Sequence, residues 1–434
     1  MALITSALER LDDRYHPLIP WVVCLSGGLL FFYEFIQLNI FGSLNTSVMR
    51  TFSLSAHQLG NLSSTYFYAN ACFLFVAGNL LDRYSTRKLI LVAMVLCTLG
   101  TIGFAISANV WEAGVSRFFV GLGGAFCFLS GVRLASRWFP PSRMALLTGV
   151  LVTMAMIGGW LAQAPMAMLL EHMHWRNAML LNGLLGVVLT VWIWLVIKDR
   201  PDGHDHIAMS ERQQIKEMGL MQCIGGVLKN PQNWKAAFYT CLMNLPIYIM
   251  GALWGSLFLT QVHHFTAVQA ASIVGMLYFG TIFGSPLVGM VSDKIKNRRK
   301  PMLYGAAISF FIMAAIIYIP SLSYDMLIIM FFLLGFITSS QVIGYPVAAE
   351  SNPTVITGTS VSIVSMVTVF SGAIMQPISG WVLDHYWKGQ YCGGVHCYNL
   401  QAYQHAMLVM LFSFVISFVL AWSIRETHSK PFSE

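Results

Sequence analysis

Twelve long apolar segments constrain this chain more than any other feature of its sequence. A helix that crosses the hydrocarbon core of a bilayer needs about 20 mostly apolar residues. Only 10% of the 434 residues are charged, whereas a soluble chain carries about 25%, so the composition excludes a soluble enzyme and a disordered chain. We therefore expect an all-α polytopic membrane protein with twelve transmembrane helices, at roughly 17–43, 58–81, 88–108, 111–136, 144–170, 176–197, 235–261, 268–292, 301–320, 326–349, 355–384 and 403–424.

Lysine and arginine are distributed unequally between the loops that join these segments. With the amino terminus inside, 20 of the 25 lie on the inner side and only three, Arg50, Arg176 and Lys388, on the outer side. Because basic residues accumulate on the cytoplasmic side, we expect a bacterial inner-membrane protein with both termini cytoplasmic. This orientation explains the net charge of +7, and no nucleic-acid partner is expected.

A short motif occurs twice, at the same offset in each half of the chain. Its copies consist of Gly78, Asp82, Arg83, Arg87 and Lys88 and, 211 residues further along, of Gly289, Asp293, Lys294 and Arg298. Each copy closes an apolar segment on the inner side. The repeat predicts two six-helix halves, 1–197 and 235–434, joined by a polar cytoplasmic linker, 198–234.

The two copies resemble the loop signature of the major facilitator superfamily of secondary transporters. The run Arg-Phe-Phe-Val-Gly-Leu-Gly from Arg117 to Gly123 is similar to the helix-four signature of that superfamily. The resemblance covers essentially the whole chain and implies two pseudo-symmetric six-helix halves that alternate access to a midplane site. It implies a transporter rather than an enzyme, without cofactor, and we expect a monomer. The overall pattern is similar to the phagosomal nutrient transporters of intracellular bacteria.

The repeated motif is interpreted as a conformational latch at the inner ends of the helices. Gly78 is expected to let helix two approach a neighbour closely, and Asp82 is expected to bind the cations beside it. Such a cluster would stabilise one of two arrangements of the halves. The alternative is an ordinary excess of basic residues on the inner side, which would not require an aspartate at the same offset in both halves.

Three ionisable residues lie inside predicted helices, where charge is costly. Glu34 lies past the middle of helix one, and burial disfavours the charged form of a carboxyl group, as proton coupling requires. Arg117 lies at a similar depth in helix four, and the resemblance implies a part for it in proton coupling. The alternative is a structural ion pair between the two. Arg133, near the inner end of helix four, is a candidate either for substrate contact or for a vestibule.

Further polar residues lie on the four helices that line the cavity in this superfamily. We expect the substrate to contact some of them, and the alternative is hydrogen bonding between helices. The predicted substrate-binding residues are Tyr33, Glu34, Gln37, Arg133, Asn244, Tyr248, Ser340, Gln341 and Tyr345.

The charges of the predicted cavity favour a neutral or zwitterionic substrate, such as an amino acid. Helix one carries Glu34, and helix seven has no cation between Lys235 and His263. We therefore expect proton-coupled uptake of a small organic nutrient. The alternatives are a proton-driven exporter of an apolar or siderophore-like compound, an organic-anion symporter, and a non-transporting receptor. Met154-Ala155 stands where drug-exporting relatives carry Gly-Pro, which disfavours export.

Two remaining observations concern cysteines and glycines. Cys392 and Cys397 lie together in the last outer loop and are predicted to form a disulfide if that side is oxidising. Other metal ligands are missing around them, so no metal site is expected. Gly121 to Gly124 lie inside a membrane helix, which excludes a dinucleotide-binding loop.

Overall fold

The computed structural model describes residues 18–139, 143–199, 220–352 and 357–428. In this part of the chain, eleven helices are long and apolar enough to cross a membrane. A twelfth helix, Ala56–Arg83, is 28 residues long but carries more polar side chains. We number the twelve as spans 1 to 12, and we call their ends inner or outer according to the orientation that the basic residues predict.

The first half contains spans 1 to 6, two of which are interrupted. Their bounds are Leu18–Asn39, Ala56–Arg83, Thr86–Ile106, Val110–Gly124 continued by Cys127–Trp138, Met144–Leu161 continued by Ala164–His172, and Trp175–Val196. Span 1 ends four residues earlier than predicted, because a separate helix, Phe41–Phe52, follows it at the outer side.

The second half contains spans 7 to 12 and repeats the interruptions. Span 7 combines Pro231–Met243, a π-helix at Ile247–Trp254 and Gly255–Val262, and span 10 combines Tyr324–Thr338, a 3₁₀ turn at Ser339–Ile343 and Gly344–Glu350. The other spans are Ala267–Lys294, Arg299–Tyr318, Thr357–His385 and Leu400–Ser423. A helix in the predicted linker, Leu220–Lys229, precedes span 7, and a short hairpin of β1 (Tyr391–Cys392) and β2 (Val395–His396) precedes span 12.

The two halves contact each other closely at their outer ends. Span 2 packs on span 11 and span 5 on span 8. A Cβ atom added to Gly60 would lie 2.7 Å from the carbonyl oxygen of Gln376, and one added to Gly159 would lie 2.6 Å from the ring of Tyr278. Only glycine permits these approaches.

Two glycines near the inner ends of spans 5 and 8 show no such approach. A Cβ atom added to Gly149 or Gly289 would meet no atom within 4 Å. The close contacts between the halves thus lie at the outer side, which is closed. The expectation that Gly78 permits close approach was wrong for this arrangement, because a Cβ atom there would lie 3.9 Å from its nearest neighbour, Leu129.

Candidate functional site

Glu34 is buried at the centre of the first half, with 2% of its surface exposed. A Cβ atom added to Gly124 would lie 3.2 Å from Glu34 Oε1, 2.7 Å from Asn70 Nδ2 and 2.9 Å from the hydroxyl oxygen of Tyr66. Asn70 Nδ2 donates a hydrogen bond of 3.0 Å to that hydroxyl. Glu34 Oε2 has no hydrogen-bond partner among the described residues. The carboxyl group thus occupies a small polar pocket that the absent side chain of Gly124 leaves open.

Arg117 is equally buried, at 2% exposure, one layer further toward the outer side. Its Nη1 donates a hydrogen bond of 2.7 Å to the main-chain oxygen of Gln37. Its guanidinium carbon lies 4.9 Å from the ring centre of Phe41 and 5.1 Å from that of Tyr66, which permits cation–π attraction to both rings. Nε and Nη2 have no hydrogen-bond partner in the described chain.

The two buried charges are not in direct contact. No ion pair joins Glu34 and Arg117 among the described residues. The direct pair considered from the sequence is therefore not formed in this arrangement. Gln37, between them on span 1, is 1% exposed and leaves its Nε2 unpaired within the described structure.

Tyr33 does not join this group. Its hydroxyl donates a hydrogen bond of 3.2 Å to the main-chain oxygen of Asn182 on span 6. A Cβ atom added to Gly186 would lie 2.5 Å from that hydroxyl oxygen and 2.6 Å from Oγ1 of Thr98. Tyr33 therefore packs among spans 1, 3 and 6, which is the structural alternative to substrate contact.

Span 7 brings Tyr248 toward the buried carboxyl group. Tyr248 lies in the π-helix, hydrogen-bonds the side chain of Asn244 and is within electrostatic reach of Glu34 and Tyr345. Its ring packs edge-on against Phe67 of span 2, with the ring centres 5.0 Å apart. Among the predicted binding residues of the second half, Tyr248 thus contacts span 2 of the first half.

The remaining candidates of span 10 are used in packing. The hydroxyl of Ser340 shares a 2.9 Å hydrogen bond with that of Tyr239 and lies against Gly305 of span 9. Gln341 accepts a hydrogen bond of 3.0 Å from Thr240 through its main-chain oxygen. For Ser340 the contacts agree with interhelical hydrogen bonding rather than with an open binding position. Arg133 is half-buried, nearer the inner end of span 4 than Glu34's pocket.

At the inner ends, the second motif forms a compact ionic cluster. Arg298 donates a hydrogen bond of 2.6 Å to Asp293 and another of 2.6 Å to Glu350. Burial alone lowers the pKa of the Arg298 guanidinium, but the two carboxylates raise it above its ordinary value. The cluster joins spans 8, 9 and 10 of one half. Lys294 and Arg83 are exposed, and the side chain of Asp82 lies outside the described residues.

Two carboxylates that the sequence analysis did not identify bind main-chain N–H groups at the starts of spans 3 and 9. Asp199, three residues beyond span 6, accepts hydrogen bonds from the hydroxyl of Ser85 and, at 2.8 Å, from the main-chain N–H of Arg87. Glu426, three residues beyond span 12, accepts those of Arg298 and Arg299 at 2.8 and 2.9 Å. An acid at the same distance from each span end was the available signal. Burial alone raises the pKa of Glu426, but these N–H groups lower it below its ordinary value.

The twelve-span fold with buried charges at its centre defines a polytopic membrane transporter. The family model of the Major Facilitator Superfamily matches residues 27–353. The chain belongs to this superfamily and is a secondary transporter, not an enzyme.

Named relatives and solved structures agree with this assignment. The chain is 25% identical to the membrane sensor protein UhpC of Escherichia coli, over 77% of this chain and 80% of that protein. It is 21% identical to the probable sulfoacetate transporter SauU of Cupriavidus necator, over 67% of each. Its fold is similar to that of a bacterial homologue of the human lysosomal transporter Spinster, with a TM-score of 0.76, 18% identity, and coverage of 96% of this chain and 98% of the other.

Proposed function

We propose that the protein is a proton-coupled symporter that takes up a small organic acid with a carboxylate or sulfonate group. The observation that carries this proposal is the burial of Glu34 and Arg117 without direct contact between them. Isolated charges are costly to bury. A proton on Glu34 removes one of the two charges and leaves the pocket with the single positive charge of Arg117.

This arrangement links the proton to an anion. When Glu34 is ionised, its charge offsets that of Arg117 and the site has no net charge. When Glu34 is protonated, Arg117 remains as an unbalanced cation with free N–H donors, which favours a bound anion. Proton and anion would then bind together, and one proton with a monovalent anion would cross the membrane without net charge movement. The similarity to a probable sulfoacetate transporter supports an acidic substrate, whereas the relatives give no support to the amino acid expected from the sequence.

Purified protein in liposomes tests the proposal. A thermal-shift screen with sulfoacetate, small carboxylates, alanine and a nucleoside identifies the ligand class, because a ligand of the folded state raises the unfolding midpoint. Uptake of the best ligand is then followed with an acidic exterior and without a pH gradient. Accumulation that needs the gradient supports the symporter. If only alanine or the nucleoside binds, the result favours a zwitterionic or neutral substrate instead of an organic acid. Loss of preloaded solute into the acidic exterior would favour export over uptake.

A sensor is the second candidate, because one relative is named a membrane sensor protein. A sensor binds its ligand without moving it across the membrane. A clear thermal shift together with no uptake, with or without a pH gradient, would favour this function over transport.

A further inference from the structure

The closed outer side is held partly by neutral side chains that bind main-chain groups of the opposite half. Asn45 donates a hydrogen bond of 3.1 Å to the main-chain oxygen of Leu253. Gln163 donates one of 2.9 Å to the main-chain oxygen of Gly251, in the π-helix of span 7. These contacts join the outer helix Phe41–Phe52 and span 5 to span 7.

A charged contact joins the other pair of spans. The carboxylate of Asp384, at the outer end of span 11, accepts hydrogen bonds from the main-chain N–H groups of Ala56 at 3.1 Å and of His57 at 2.8 Å. These are the first two residues of span 2. The first four N–H groups of a helix lack partners within it, and a negative charge at that end is favourable. Asp384 therefore caps a helix of the opposite half.

The remaining groups at this helix end have partners in both halves. Ser55 and Gln58 form a reciprocal capping box within span 2 itself. The ring Nδ1 of His57 lies 3.2 Å from the main-chain oxygen of Pro377 on span 11. Opening of the outer side would leave the capping box intact and would remove the acceptor that Asp384 supplies to Ala56 and His57.

The outer hairpin holds Asp384 in position. The hydroxyl of Tyr398 donates a hydrogen bond of 2.6 Å to Asp384 Oδ1. Tyr398 directly follows the disulfide between Cys392 and Cys397. Its main-chain N–H donates to Oε1 of Gln261 at 3.0 Å, so it is tied to span 7 as well. The carboxylate of Asp384 is thus held in position by its own half, independently of its contact with span 2.

We propose that Asp384 is the positioning residue that sets the balance between the outer-closed and outer-open states. Its carboxylate caps span 2 when the outer side is closed and is hydrated when spans 2 and 11 separate. The strength of this contact determines how much of the protein faces inward at rest. The proposal rests on alternating access and not on the substrate, so it stands or fails separately from the proposed organic acid.

A buried reporter cysteine measures the outer-open fraction. Ser64 is fully buried on span 2, on the helix face that carries Gly60 and Phe67 against span 11. In a Ser64→Cys chain with exposed Cys72 replaced by serine, a membrane-impermeant maleimide added outside reacts only when the spans separate. We expect Asp384→Asn to increase the labelling rate about tenfold, because hydrogen bonds to charged groups contribute more than neutral ones.

The matched control is Asp325→Asn, which changes an exposed carboxylate at the outer start of span 10 in the same half. It should leave the labelling rate unchanged. A general loosening of the fold would also expose a cysteine at Ser309, which is buried in span 9, whereas loss of the cap should affect only the reporter at Ser64.

Tyr398→Phe provides an independent variant if Asp384→Asn does not yield folded protein. It removes the hydroxyl bound to Asp384 and retains the ring, so labelling at Ser64 should rise in the same direction but less. Labelling at the parental rate in Asp384→Asn, or in Tyr398→Phe when that is the variant measured, would overturn the proposal. An equal rise in the labelling rates at Ser64 and Ser309 would overturn the proposal too, because it would show that Asp384 stabilises the whole fold and not the closed outer side.

Discussion

Arg117 donates its Nη1 hydrogen to the main-chain oxygen of Gln37, at 2.7 Å, and not to the carboxylate of Glu34 one turn earlier on the same helix. A main-chain oxygen keeps its acceptor character at every pH. The position of Arg117 is therefore fixed independently of the proton on Glu34. Only the net charge of the pocket changes when Glu34 gains or loses that proton.

Glu34→Gln is expected to separate proton coupling from solute movement. Glutamine keeps the shape and polarity of the side chain and cannot release a proton. Accumulation driven by a pH gradient should disappear, and exchange between preloaded vesicles and external solute should persist. The measurement is uptake and counterflow of the same labelled solute in liposomes. Proton-driven accumulation in the variant would place the coupling site elsewhere, and loss of exchange would make Glu34 a substrate ligand or structural residue.

Gly124→Ala is expected to impair transport through the pocket of Glu34. The added Cβ would lie 2.7 Å from Asn70 Nδ2 and 3.2 Å from Glu34 Oε1, so these side chains must shift. We expect an altered pH dependence of uptake as well as a lower rate. Gly149→Ala, where the added atom would meet nothing within 4 Å, is the control and should behave as the parent. Equal pH profiles for both variants would refute a link between Gly124 and the proton site.

The two acids around Arg298 should contribute unequally to stability. Glu350 has 14% of its side chain exposed and Asp293 has 65%, while Arg298 has 7%. Glu350→Gln leaves a buried cation with an exposed partner and should cost about 1–3 kcal/mol. Asp293→Asn should cost less than about 1 kcal/mol, as exposed pairs do. Thermal unfolding of both variants in detergent compares them, and a larger loss for Asp293→Asn would contradict the burial argument.

The disulfide of the outer hairpin should stabilise the closed outer side. Cys392 and Cys397 are bonded, and Tyr398 beyond them binds Asp384. Replacement of Cys392 and Cys397 by serine should therefore speed labelling of the Ser64→Cys reporter, since neither serine reacts with the maleimide. The control is a reporter at Ser309 in the same double-serine chain, and its labelling rate should not change. An equal rise at Ser309 would show that loss of the disulfide loosens the whole fold.

Much of the fold follows from the sequence because apolar length decides which segments cross a membrane. Span 2 was predicted despite its polar residues, since a positive-inside orientation requires a helix between Arg50 and Arg87. Pro246 predicts a kink in span 7, and the helix is interrupted there, after Met243. The interruptions at Gly124 and Thr338 were not predicted, because neither carries a proline, the residue that most clearly marks a helix break in a sequence.

Individual site residues were less predictable than helices. The sequence identified Glu34 and Arg117 because charge is rare in such segments. It could not separate Tyr33, which packs against span 6, from Gln37, which does not, because both lie on the same helix within four residues. Asp384 was missed because its partners are main-chain groups 327 and 328 residues away, and main-chain partners leave no mark in the residue pattern.

Asp199 and Glu426 each bind main-chain groups of their own half at its inner end. The described ionic contacts there, including that of Arg298 with Glu350, likewise stay within one half. Rocking of the halves can therefore proceed without breaking them. The inner ends of each half would then move as one rigid body. Because these ionic contacts do not break during the movement, the turnover rate should depend little on ionic strength.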